Sequence, residues 1–508
     1  MRLPYPKRIS YKWAGLAVTL LAVIQLFLGT SAVFTLLSSG YIMAAVAAFN
    51  VGGGLTRPSG AFVFFNASQG AILGLVWKAR LGEAADTNLS GVANLAIGLY
   101  LIGMCGLLLS VSISRIFSRS RGWLADVAPV TSLYRSAIGC LMIGIAIPLM
   151  ATLLAGAGSQ ILGSILAQLN RFVVLALVFA IMHEVKVSGG TRSMNAVSWI
   201  AMIYIFQGGI FNFSKEGIFL PLLCWGATVA ALRYRITRAQ LLGLVLATTF
   251  AVMYLVPYSQ YGRNFRESQL GRFTVVKTLL LHLPDIRADA LGIRRYAGPD
   301  NSFAGDEPSD PTELGFGNYF NSRQGLVERL QTLSMDATLI SVTKDRGPIG
   351  YLPIQIAILN VIPHFIWPDK PSFNTGNEYG HAVGVLADDD MTTDIAFSAV
   401  ADIYHEGGIY GLISIAPLIW TLVFLIFDSI CGDVYSSPWG LIAVTAFAHI
   451  APEASLTYLV YTASTGFIAT LFLAFFSTRI VPIFADLIVG PPRERGVRRL
   501  PRPAPARN

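Results

Sequence analysis

The 508-residue chain is 54% hydrophobic and only 13% charged, with a mean hydropathy of +0.58. That excludes an ordinary water-soluble globule, because too little charge is left to cover its surface. The net charge of +8 is unevenly spread: residues 259–406 carry 12 Lys/Arg against 19 Asp/Glu, and the remainder 25 against 10. Such sorting fits short loops obeying the positive-inside rule and one exported acidic segment, and excludes nucleic-acid binding as the reason for a basic chain.

The N-terminal MRLPYPKRISYK is basic and precedes a first predicted span near 14–37. That run is too long for a signal peptide and lacks a small-residue cleavage site, so no removable leader is expected. The next segment, 41–77, is apolar but broken by Gly and Pro. It is open to three readings: re-entrant, interfacial, or two further short spans. Apolar runs of a length to cross a hydrocarbon core of roughly 30 Å follow near 90–112, 135–157, 160–182, 195–213, 217–232 and 239–257. Arg115, Arg119 and Arg121 flank one internal end, and Arg233, Arg235 and Arg238 another. Three further spans are predicted near 407–427, 438–453 and 456–476, followed by the basic, Pro-rich tail PPRERGVRRLPRPAPARN. These spans put both termini in the cytoplasm and 259–406 outside, and two more near 41–77 would leave the orientation unchanged.

The expectation is therefore an all-α, polytopic integral membrane helical bundle of about 10–12 spans with one large external loop containing amphipathic helices. Its parts are an N-terminal transmembrane bundle (1–258), the external loop (259–406), C-terminal transmembrane helices (407–478) and the tail (479–508). Cys105, Cys140, Cys224 and Cys431 lie in or beside apolar runs without C-x-x-C spacing, so neither a disulfide framework nor a zinc site is expected.

The external loop is too long for a mere connector. YGRNFRESQLGRFTVVKTLLLHLPDIR predicts an amphipathic helix on the membrane, and the turn-rich segment after it a mobile stretch. Leu326, Leu330, Leu333, Ala337 and Ile340 then recur at helical spacing, predicting a helix packed on the spans with Arg329 and Asp336 on a neighbouring face. Next comes VIPHFIWPDKPSFNTGNEYGH at 361–381. Pro363, Pro368 and Pro371 forbid a continuous helix, and Trp367 is a natural interfacial anchor. The stretch reads as an elbow at the membrane surface that frames a site.

Within it, IPHFIWPDKP at 362–371 resembles the Ile-Pro-Arg-x-x-Trp-Pro-Asp-Lys-Pro signature of bacterial O-antigen and exopolysaccharide repeat-unit polymerases of the Wzy type. ADIYHEGGIYG at 401–411 is similar to their Gly-Glu-x-Tyr-x-x-x-Gly-x-x-Gly element, and FSKEGIFLPLL at 213–223 also looks like these proteins. His364 stands where many relatives have Arg, and Asp402 where they have Glu. The resemblance implies a glycosyltransferase of the bacterial inner membrane. It would join undecaprenyl-diphosphate-linked oligosaccharide repeat units at the periplasmic face and release undecaprenyl diphosphate. No cofactor, no metal and no nucleic acid is expected; membrane lipid and a chain-length regulator protein are candidate partners.

Displacing a lipid diphosphate calls for cations on the leaving group and a base near the acceptor hydroxyl. The candidate catalytic residues are Arg263, Arg266 and Arg329 for the diphosphate, with Asp402 and Glu406, one helical turn apart, for the acceptor. Candidate substrate-binding residues are Lys215, His364, Trp367, Asp369, Lys370 and Tyr404. Each also has a plain structural reading: snorkelling cations, turn residues, or acids at a helix N-terminus. Lys344 and Arg346 rank lower, as charges at the end of the amphipathic helix. ADDDM at 387–391 imitates a metal-binding Asp-x-Asp but reads as a solvated acidic loop. Asn170-Arg171, inside an apolar run, marks either a lipid-diphosphate groove or a shifted span boundary. Two other functions share the topology: an O-antigen ligase, and a flippase or transporter of lipid-linked oligosaccharides.

Overall fold

The computed structural model describes residues 1–3, 5–119, 121–125, 127–154, 171–263, 265, 271–290, 331–362, 367, 369–371, 373–391, 393–435 and 437–489. The described residues are helical with no strand; one isolated bridge joins Arg2 to Arg235. In chain order the helices are α1 (Tyr11–Phe27), α2 (Ala32–Val51), α3 (Pro58–Leu81), α4 (Ala93–Phe117), α5 (Val130–Leu154), α6 (Phe172–Val187), α7 (Ala196–Phe211), α8 (Lys215–Ala231) and α9 (Arg238–Arg263). Then come α10 (Arg272–Leu281), α11 (Leu283–Ala290), α12 (Leu333–Arg346), α13 (Leu352–Leu359), α14 (Thr375–Ala382), α15 (Ala399–Cys431), α16 (Pro438–Glu453) and α17 (Leu456–Ile483), the last continuing to Val489. Among the described residues seven helices are long and apolar enough to cross a membrane, and the chain is a polytopic helical membrane protein.

The apolar stretch expected as one span near 14–37 is two helices, because Leu28-Gly29-Thr30 turns the chain and Ser31 caps α2. The ambiguous 41–77 segment resolves into the second half of α2 and most of α3. Pro58 starts α3, where a missing N–H costs nothing, and Gly53 and Gly54 turn the chain ahead of it at positive φ. The expected span at 239–257 extends to Arg263. The amphipathic stretch after it forms two short helices, α10 and α11, which bury Val275, Val276, Leu279 and Ile286 against the ends of α7–α9. The first half of α9, Arg238–Phe250, buries no residue against the bundle.

The main core joins α2–α8 and α12–α17 in one continuous apolar cluster. The helix predicted over 326–340 is α12 in its described part, with Leu333, Ala337 and Ile340 buried; Leu326, Leu330 and Arg329 lie outside the described residues. Asp336, expected on a neighbouring face, is fully buried in the core instead.

Helix α15 decides the architecture. Gly408 has φ 61° and ψ −155°, a conformation open to glycine alone, and it breaks the helix into Ala399–Gly407 and a span beginning at Ile409. A Cβ on Gly411 would meet Ile403 at 3.2 Å, although residues eight apart on a straight helix are separated by about 12 Å. The first arm therefore folds back on the second. Both arms reach the same point on α4, since Val400 and Leu412 each lie against Gly103.

The bundle has two chemically different ends. At one, the N-terminal strap ties several loops together. The Met1 amino group donates to the Ile236 carbonyl, Leu55 N–H donates to Pro6, and Lys7 sits over the Tyr435 ring. Arg57, Arg119, Arg233 and Arg235 share this end. At the other end, beyond the start of α4, lie the folded-back arm and the described residues of 331–398.

Candidate functional site

The folded-back arm carries Asp402, Tyr404, His405 and Glu406. Ser398 caps its start, accepting from the Ala401 N–H. Asp402 and Glu406 share a face, as the spacing predicts, but both are fully buried instead of lying at a solvated junction. Asp402 Oδ2 accepts from the Leu456 N–H at the start of α17, and the Tyr379 hydroxyl donates to Glu406 Oε1 at 3.4 Å. The Tyr379 hydroxyl faces both carboxyl groups, and those two groups also face each other. Two carboxyls attract only when one carries a proton. Apart from each other, Tyr379 and the Ile354 amide, Asp402 Oδ1 and Glu406 Oε2 meet no hydrogen-bond donor. Two buried carboxyls facing each other on one helical turn are costly.

Asp402 and Tyr379 form part of the wall of an open cavity of roughly 370 Å³. Asn374 and Asp394 close one side, and His449, Glu453 and Tyr458 the other. Burial, followed by the charges of Asp402 and Glu406, pushes the Tyr379 hydroxyl far above its ordinary range, so it keeps its proton and acts as donor. Carboxylates, an amide, a phenol and aromatic edges in one open cleft suit a polyhydroxylated ligand. Arg171 lies against the Tyr458 hydroxyl, and Glu216 approaches His449 at 3.9 Å.

Behind the carboxyl pair lies a second polar node. Asp336 Oδ1 accepts from Ser398 N–H at 3.0 Å, and its Oδ2 accepts from the Ser398 and Tyr100 hydroxyls. Burial pushes the Asp336 carboxyl up to about 6, and the hydrogen bonds from Ser398 and Tyr100 pull the other way. Farther along, Thr343 Oγ1 donates to Leu339, so His405 Nδ1 donates to Thr343 at 2.7 Å.

The structure brings only some of the expected residues together. Asp402 is in the cavity wall with Glu406 directly behind it. Tyr404 is half-buried against the core and takes no part in the wall. Lys215 starts α8 next to Glu216, and so borders the cavity through His449. Arg263 ends α9 with its Nε 3.5 Å from the Phe213 carbonyl, in the loop before α8. Arg266, Arg329 and His364 lie outside the described residues. Trp367 and Asp369 are exposed and do not line the cavity. Lys370 caps the turn after α13, donating to the carbonyls of Asn360 at 3.2 Å and Ile362 at 2.8 Å. From the stretch 361–381 Phe373 packs edge-on against Tyr379, and Asn374 and Tyr379 enter the wall; Pro363 and Pro368 lie outside the described residues.

Sequence reasoning missed Tyr379, His449, Glu453 and Tyr458. Tyr379 sits inside the quoted elbow, and its polar, glycine-flanked setting was the only local signal. The other three belong to apolar helices distant in sequence, where nothing local marks them. Comparison of the chain with known protein families, curated proteins and solved structures gave no match.

Proposed function

We propose that this protein is a membrane glycosyltransferase that polymerises undecaprenyl-diphosphate-linked oligosaccharide repeat units on the outer face of the bacterial inner membrane. The observation that carries the reading is the buried Asp402–Glu406 pair, two carboxyls facing each other in and behind the wall of an open cavity. The resemblance at 362–371 and 401–411 also supports it, and Tyr379, eight residues beyond the first motif, faces Asp402 and Glu406 of the second. The cavity end faces outward in this reading, since the basic strap and Arg57, Arg119, Arg233 and Arg235 mark the opposite end as internal.

In the transfer, an acceptor hydroxyl oxygen attacks the anomeric carbon of the donor glycan. Its proton passes to Asp402, which accepts from the Leu456 amide and reaches the cavity, while Glu406, bonded by Tyr379, faces it from behind. The bond from the anomeric carbon to the diphosphate oxygen breaks, and the electron pair leaves with undecaprenyl diphosphate. Arg171 beside Tyr458, Lys215 at the start of α8 and Arg263 at the end of α9 are the cations that would neutralise the leaving group.

The test supplies purified full-length protein with lipid-linked repeat units extracted from a strain deleted for it. A ladder of lengthened glycans is the expected product. Transfer only to a lipid A core acceptor would replace the reading with a ligase. Movement of the lipid across vesicles without elongation would replace it with a flippase.

A further inference from the structure

The arm bearing Asp402 and Glu406 is held from one side by a single helix, and the register of that contact is regular. Asp336 of α12 bonds Ser398, and Thr343 bonds His405; each pair is 62 positions apart in sequence. The contacts thus repeat after seven residues on both helices, so α12 and the arm run parallel and in register over two turns. The loop after α12 completes the contact, with Ile349 N–H donating to the His405 carbonyl and Gly350 N–H to the Glu406 carbonyl, both at 2.9 Å. Those carbonyls would have lost their partners at the Gly408 break. Gly407 is pressed directly against the Tyr351 ring, leaving no room for a side chain.

At the other end, Asp336 does what a helix cannot do for itself. It accepts from the Ser398 amide and hydroxyl, while Ser398 in turn caps Ala401. A carboxyl group there also complements the positive end of the arm's dipole. Tyr100 fastens the same carboxyl to α4 and accepts from the Thr332 hydroxyl at 2.9 Å; Thr332 N–H is bonded to the Gln69 carbonyl of α3. Asp336 is fully buried and is absent from the cavity wall.

We propose that α12 is a splint that sets the position of the Asp402–Glu406 arm, and that Asp336 is its positioning residue. Its consequence for activity rests on the function proposed above; the splint itself does not. Segment 331–350 therefore acts through the arm and not on substrate.

The experiment compares wild type, D336A and D336N as full-length protein in nanodiscs. It combines hydrogen exchange with elongation kinetics on lipid-linked repeat units extracted from the deletion strain. In D336A, amide exchange over 399–407 should rise by about tenfold or more while 409–431 stays protected. The elongation rate should fall by roughly a hundredfold, with the half-saturating acceptor concentration little changed, because misplacement costs turnover more than binding. D336N keeps a carbonyl oxygen for the Ser398 amide and should fall between the two. It also keeps the test decisive if D336A does not fold. Unchanged exchange over 399–407, or an equal rise over 409–431, overturns the splint whatever the activity. A rise confined to 399–407 with undiminished elongation overturns instead the assignment of the reacting groups to this arm.

Discussion

Helix α15 carries buried acids near both ends, and they differ in one respect. Asp428, near the C-terminal end, is fully provided for: Ser59 donates its N–H at 3.1 Å and its hydroxyl at 2.7 Å, Ser114 donates at 3.1 Å, and Arg57 lies 4.0 Å away. Asp402 and Glu406, near the N-terminal end, face each other and stand in and behind the wall of a cavity. A buried acid matched by donors ties α3, α4 and α15 together. Two facing carboxyls beside an open cleft are held ready for a proton or a ligand hydroxyl. Burial alone therefore does not separate staple from site; what each carboxyl faces does.

The sharpest test of this contrast exchanges the two roles by mutation. D402N should lower the elongation rate by about 10²–10⁴-fold, the usual contribution of a general base, without moving the melting temperature of the detergent-solubilised protein. Wild-type elongation by D402N would remove Asp402 from the chemistry. D428A should do the reverse. Leaving the buried Ser59 and Ser114 donors without their acceptor should cost about 1–3 kcal/mol of stability, read as an earlier thermal transition. The protein that stays folded should keep its acceptor dependence.

Smaller effects sharpen the picture. G408A forces an alanine into a glycine-only conformation at a cost of about 1–3 kcal/mol. It should loosen the fold-back, and hydrogen exchange across 403–411 is the measurement. Y379F removes one donor to Glu406, and elongation should slow by about tenfold, matching one hydrogen bond to a charged group. K370A should be the mildest, within about twofold in rate, because its ammonium bonds two backbone carbonyls exposed on the surface. A much larger loss of elongation in K370A would return Lys370 to the substrate.

Much of the fold was legible because a bilayer imposes a simple rule. Apolar runs such as 93–117 and 409–431 must be helices to satisfy their own backbone. Where the rule was blurred by glycine and proline, as at 41–77, the boundaries could not be read, since Pro58 begins a helix as readily as it ends one. At the site, the Asp402–Glu406 spacing was legible from helical pitch. Their burial was not, because it depends on Gly408 turning the arm inward, and glycine in a membrane helix more often marks close packing. Asp336 was read as lying beside the apolar stripe for the same reason: its partners, Tyr100 and Ser398, are distant in the chain.

By itself, the sequence determined that this chain is a polytopic helical membrane protein, with its acids gathered into one long segment and a carboxyl pair one helical turn apart. Only the tertiary structure decided which buried acid is matched by donors and which acids face each other. Hydropathy and pitch are local properties that each segment carries with it. The donor count around a buried carboxyl is a sum over helices that meet only when the chain has folded.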